Sequence, residues 1–225
     1  MIGSKGGKGG RFLSHASGAE KGEGSLVWVV SYADLVSLLF CTFVLLTTIS
    51  ASPKNCDGLA KYFESNRAVY KNFELRNSKL ECVITLPSDY LFQTGQDTVQ
   101  RQALERLKPL VQNIAQLPEH RNDLIIVEGH TDNLPIHTAR FPSNWELSSA
   151  RATNVAAFMR QLGIPSDRMS VRAFADSRPR VSYDDEAGKP MRGRELDDAR
   201  RANRRVEILL MNPPTRLQAY AILFH

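Results

Sequence analysis

The run from Leu26 to Ile49, LVWVVSYADLVSLLFCTFVLLTTI, constrains this chain more than any other stretch of it. At about 1.5 Å per residue, a helix of this length spans roughly 30 Å or a little more, the thickness of a bilayer's hydrocarbon core. The run is too long for the apolar part of a signal peptide, comes after a long tail and contains an acid, so an uncleaved anchor is expected. The acid is Asp34. A charge in hydrocarbon costs about 2.5–3.5 kcal/mol on insertion scales, and such residues mark ion or proton paths. Asp34, Ser37, Cys41 and Thr48 fall at helical spacing on one stripe, with Val44 between them, while Leu, Val and Phe fill most of the remaining surface. That is the pattern of a helix turning small and polar atoms toward other protein. Ser37, Cys41 and Thr48 are therefore expected to face other protein on the same stripe as Asp34. The alternative is a structural acid that hydrogen-bonds a partner helix.

Lys5, Lys8, Arg11 and Lys21 precede the run, and little beyond Lys54 comes after it. The positive-inside rule then expects a cytoplasmic N-terminus, with the large domain on the far side of the membrane. Residues 1–25, rich in Gly, Ser and Lys, read as a flexible tail. The net charge of +5 and pI near 9.2 favour an acidic polymer or surface as partner. No basic patch is interleaved with aromatics, so nucleic acid is not expected. Of the three cysteines, Cys41 lies in the apolar run. Cys56 and Cys82 fall in an oxidising compartment on this topology, where they either pair or stay free. Their spacing matches no metal motif.

Pro53 ends the spanning helix. In the segment 50–79, Leu59, Tyr62, Phe63, Val69, Tyr70 and Phe73 recur at roughly helical spacing. Such a segment either lies on the membrane or covers a partner's opening, or packs on its own domain. A compact domain is expected over 80–211. Its first strand is Leu80–Leu86, followed by a helix over Val99–Leu117 with Leu104, Leu107, Val111 and Ile114 inward, kinked or divided at Pro109. Leu124–Val127 reads as a buried strand running into Glu128-Gly-His-Thr-Asp132. Ser143 and Glu146 form a capping box for a helix with Leu147, Ala150, Val155, Phe158 and Leu162 inward, stopped by Gly163 and Pro165. Met169–Ala175 and Arg205–Met211 complete four strands. Ser177–Ala202 reads as a long loop, partly helical, and no element is assigned to the tail 212–225. Strands alternating with amphipathic helices give an α+β fold, a mixed sheet packed against helices.

EGHTDN (128–133), NWELSSARA (144–152) and NRRVEI (203–208) together resemble the motifs of OmpA-like peptidoglycan-binding domains. WVVSYADLVSLLFCTFVLL resembles the anchor of the flagellar stator B subunit, the MotB/PomB family, and PIHTARFPSNWELSSARA resembles that family's version of the domain. The resemblance implies that Asp132 and Arg151 hold the diaminopimelate of a peptidoglycan stem: a carboxylate receives its ammonium, and a guanidinium grips its carboxylate. Asn144, Leu147, Ser148, Asn203 and Arg204 match the same motifs and are expected around the groove. It also implies that Asp34 carries the coupling ion, H+ or Na+, with no other cofactor. The implied partners are a second copy of the chain, a MotA/PomA-like ring of A subunits, the bacterial inner membrane and peptidoglycan in the periplasm. Ser52 to about Phe63 would be a plug. A static wall tether and a TolR/ExbD-like energiser subunit are the rivals; a tether has no use for Asp34, and the second lacks the wall-binding motifs. His130 and His137 sit beside no nucleophile pair and no closed ligand set, so neither an enzyme nor a metal site is expected.

Overall fold

The computed structural model describes residues 23–49, 54–78 and 80–213. The expected tails, apart from residues 23–25 and 212–213, lie outside these residues, as do 50–53, where the expected plug begins. The chain divides into two compact units, Met1–Ala51 and Ser52–His225. The first contains α1 (Glu23–Ile49), an uninterrupted helix that starts three residues before the apolar run. Its stretch Trp28–Leu45 is long and apolar enough to cross a membrane. Trp28, Phe40 and Phe43 are each more than 60% exposed, as a surface built for lipid or partner helices requires.

The second unit runs α2 (Asp57–Ser65), β1 (Glu74–Asn77), β2 (Glu81–Pro87), α3 (Ser88–Leu91), α4 (Arg101–Gln116), β3 (Leu124–His130), α5 (Asn144–Gln161), β4 (Met169–Ala175), α6 (Gly193–Asn203) and β5 (Arg205–Met211). Five strands form one mixed sheet in the order β1-β2-β5-β3-β4, with only the β3–β4 pair parallel. Because α5 supplies the crossover between those parallel strands, it lies on the sheet. The core sits on this face: Ile84, Leu86, Ile125, Val127, Val206 and Ile208 pack with Leu107, Leu110 and Ile114 of α4 and Val155 and Met159 of α5.

Several expectations shift by a turn or a face. β1 was not expected; its sequence, ELRN, is short and polar and its burial shows no alternation. α4 runs unbroken through Pro109, which stands on the exposed side, where the carbonyl it leaves unbonded can meet water. α5 turns Ala152, Ala156 and Met159 into the core, whereas Ala150 is only half-buried. Its cap pairs the expected residues: Ser143 is the N-cap, and its hydroxyl accepts from Trp145 N at 3.2 Å and donates to the Glu146 carboxylate. The helical part of 177–202 is α6, a polar helix that buries only Ala199 and Asn203.

The segment after the anchor packs on its own domain. Leu59 of α2 is fully buried, and Tyr62, Phe63, Tyr70, Phe73 and Tyr90 form a chain of ring contacts with centroids 5.2–5.7 Å apart. Burial raises the Tyr70 hydroxyl pKa, helped by its hydrogen bond with Tyr62. The Lys54 ammonium is buried against Asp123 (2.6 Å), whose other oxygen is 2.8 Å from His120 Nδ1. Cys56 and Cys82, left open by the sequence, form a disulfide with Cα atoms 5.9 Å apart, tying the start of α2 to β2. Closing a loop of this length contributes about 3.5 kcal/mol. Replacing both cysteines by serine is expected to lower the unfolding free energy by about that amount in guanidinium titrations. An unchanged midpoint would show that the bridge adds nothing to the packing of α2.

Candidate functional site

β3 and β5 run antiparallel with His130 opposite Arg205. Thr131 and Asp132 leave the end of β3 beside the residue that enters β5, Arg204. Gly129 makes the corner possible: a Cβ there would stand 2.1 Å from the Ser148 carbonyl oxygen of α5. Backbone cannot yield by that much, so only glycine lets α5 cross the strand here. Ser148 is fully buried, and its hydroxyl accepts from Ala175 N at 3.3 Å. Ala175 holds Thr131 in turn, its carbonyl accepting from Thr131 N at 2.8 Å, and adopts a left-handed conformation (φ 48°) to do so.

The resulting cleft, about 400 Å³, is lined by Asp89, Phe92, Gln93, Asp132, Leu134, Asn144, Leu147, Arg151 and Arg204, among others. Arg204 ties it together. Its Nε and Nη2 donate to the two oxygens of Asp89 (2.9 and 2.7 Å), and its Nη1 donates to Asp132 Oδ2 (2.7 Å). Asp132 Oδ1 accepts from Leu134 N at 3.1 Å, and Asn144 Nδ2 donates to the carbonyls of Asp132 and Leu134. Both carboxylate oxygens of Asp132 are therefore fixed, each with a lone pair to spare.

Arg151 is held differently. Its Nε donates to the Gln96 carbonyl at 2.9 Å, its Nη2 to Gln93 at the 3.5 Å limit, and its plane lies 5.0 Å over Phe92. It is only 5% exposed, yet among the described residues it makes no salt bridge and its Nη1 no hydrogen bond. Burial lowers its pKa, opposed chiefly by the charge of Asp89. A buried cation with nearby acids but no carboxylate in contact can still gain from a ligand that supplies one. The cleft thus offers a carboxylate and a guanidinium to a ligand bearing an ammonium and a carboxylate.

The structure brings Asp132, Arg151, Asn144, Leu147 and Arg204 together. Ser148 lies beneath the cleft, and Asn203 lies elsewhere. Fully buried, Asn203 accepts from Arg180 N and Val181 N and donates to the Val181 carbonyl, fastening that loop. Asp89, Phe92, Gln93 and Gln96 were not expected here. SDYLFQTGQ carries no chemical motif, and Asp89 is 115 residues from the arginine it holds. On α1, Ser37 and Cys41 come three and seven residues after Asp34, on one side of the helix, and all three are exposed. The Thr48 backbone continues that helix; its side chain is outside the described residues.

On the opposite sheet face, Glu128, His130 and Glu207 bring three donor atoms within 4.8 Å of one another. Glu207 Oε1 already accepts from Arg205, Arg76 and Thr85, and Glu128 Oε1 from Arg172. Arg76, Arg172 and Arg205 surround these two carboxylates, and Glu81 adds a third acid whose pKa is raised by burial and by Glu128. This is an ion-pair network under the sheet.

Residues 14–66, which include the membrane segment, match the model for the membrane MotB of the proton-channel complex MotA/MotB, and residues 91–192 match the OmpA family. Motility protein B of Bacillus subtilis is 28% identical over 70% of this chain, which spans 56% of that protein. The periplasmic domain of Helicobacter pylori MotB superposes with TM-score 0.54 at 25% identity, over 67% of this chain and 89% of that one. The chain is a MotB-like protein with an OmpA-like domain. An uncharacterized Bacillus subtilis protein, YtxE, is 27% identical over 91% of this MotB-like chain and 96% of its own length. The matched descriptions are of OmpA and of the MotB of a proton-channel complex, not of enzymes.

Arg204 holds the Asp89 carboxyl below the usual carboxylate range, and Asp89 in turn raises Arg204. A carboxylate lowered in the folded state stabilises above its unfolded pKa and loses that contribution as pH falls through the folded value. Stability should therefore fall on acidification below about pH 4, and Asp89→Asn should flatten that fall. Denaturant midpoints at neutral and acid pH check this; equal acid sensitivity in the variant contradicts it.

Proposed function

We propose that this MotB-like protein is the B subunit of an ion-driven flagellar stator, held to peptidoglycan by its OmpA-like domain. The observation that supports this reading is one chain joining a long apolar helix that contains an acid, Asp34, to a domain whose cleft presents Asp132 and an Arg151 that makes no salt bridge among the described residues. In this reading α1 crosses the bacterial inner membrane once, with residues 1–25 in the cytoplasm and the domain in the periplasm. Two copies pair within a ring of MotA/PomA-like A subunits. Asp34 accepts H+ or Na+ from outside and releases it to the cytoplasm, with Ser37, Cys41 and Thr48 lining the path. A unit charge moving down 100 mV gains about 2.3 kcal/mol, enough to bias a step of the ring.

The domain holds the B subunits still while the ring moves. A diaminopimelate side chain fits the cleft: its ammonium goes to Asp132 and its carboxylate to the open edge of Arg151. The segment from Ser52 to Phe63 serves as the plug of the resemblance. Its described part, from Lys54, packs on the domain and is tied to β2 by the Cys56–Cys82 bridge. A static tether would have the same cleft and no need of Asp34.

Asp34→Asn should assemble normally and abolish rotation; normal torque from that variant contradicts the ion-carrier role. Asp132→Ala and Arg151→Ala should each reduce retention on isolated sacculi by about tenfold or more. Retention unchanged in both variants removes this cleft from wall binding.

A further inference from the structure

We propose that Asp89 sets the ligand specificity of the cleft by holding Arg204 away from the ligand's carboxylate. The proposal rests on the wall-binding reading and deepens it. Two arginines border the cleft, and either could in principle grip a carboxylate. Their partners differ. All three nitrogens of Arg204 already donate to carboxylates, two to Asp89 in a bidentate fork and one to Asp132. Among the described residues, Arg151 donates only to the neutral carbonyls of Gln93 and Gln96. Asp89 thus leaves Arg151 as the one receptor for a carboxylate. It also turns Arg204 into a support that fixes Asp132 for an ammonium.

The charges favour a ligand of matching kind. Asp89 and Asp132 balance Arg151 and Arg204, so the empty cleft is neutral but has separated ends. A side chain ending in both an ammonium and a carboxylate, as a diamino diacid does, satisfies each end without changing the sum. A lysine side chain brings the ammonium alone and leaves Arg151 buried and unpaired, a penalty that discriminates against it. Without the Asp89 carboxylate, the Arg204 fork is released. It can then close on Asp132, masking the ammonium receptor, or compete with Arg151 for the carboxylate. Asp89 is a positioning residue: it acts through Arg204, 115 residues away in the chain.

The test is calorimetric titration of the full chain in detergent with two stem tripeptides, one ending in meso-diaminopimelate and one in lysine, each amidated at the backbone carboxyl of that last residue so that they differ in the side chain alone. The wild type should prefer the first. Asp89→Asn should bind it about tenfold more weakly and lose most of that preference, while Asp89→Glu, which keeps the charge, should stay close to wild type. In the double variant Asp89→Asn/Arg204→Gln, affinity should return to the level of Arg204→Gln alone, because there is no longer a fork to release. A general folding defect would not be relieved by a second substitution. Losses that multiply in the double variant, or an Asp89→Asn variant that binds and discriminates like wild type, overturn the role. A wild type that binds neither peptide overturns the wall-binding reading, and this role with it.

Discussion

Where β3 and β5 run antiparallel, His130 lies opposite Arg205, and the chain just beyond that pair brings Asp132 and Arg204 into one corner. The cleft depends on this register. A slip of one residue would turn every side chain of β5 to the other face of the sheet; Ile208 and Val206 would leave the core, and Arg204 would lose its place in the cleft. The register is held by apolar packing on one face and by ion pairs on the other, where Glu128 and Glu207 are direct partners across the two strands. Two carboxylates placed opposite each other repel. Arg76, Arg172 and Arg205 offset that repulsion.

Each end of the cleft is built from charges, but the two arginines are used in opposite ways. Arg204 is consumed by the protein and becomes part of its framework. Arg151 is oriented by carbonyls and an aromatic ring, which fix its plane without neutralising it. That arrangement leaves a buried cation near acids but in contact with none, open to a carboxylate from a ligand. The same logic appears, with charges satisfied, at the other end of the domain. There Lys54 and Asp123 form a buried pair, and with the Cys56–Cys82 bridge and Leu59 they fasten the segment that comes after the membrane helix.

Much of this was legible in the sequence because it rested on long periodic or apolar runs. Leu26–Ile49, Leu124–Val127 and the α5 pattern are patterns that one turn more or less does not destroy. Asp132 and Arg151 were legible through their motifs. What escaped was settled by tertiary contact. β1 has too little apolar character to announce itself and pairs only because β2 offers an edge. Asn203 carries a motif that reads as ligand-facing, yet its amide is spent on the loop at Arg180 and Val181. Asp89 sits in a stretch with no chemical pattern, and its role exists only because α3 packs beside the start of β5, where Ser88 N donates to the Arg204 carbonyl.

The division of labour between the two arginines can be observed directly. Nitrogen-15 spectra of the arginine side chains, recorded while meso-diaminopimelate is added, should show the Arg151 resonances moving in proportion to occupancy while those of Arg204 stay nearly fixed. A titration that moves Arg204 and leaves Arg151 unchanged would contradict the account of the cleft.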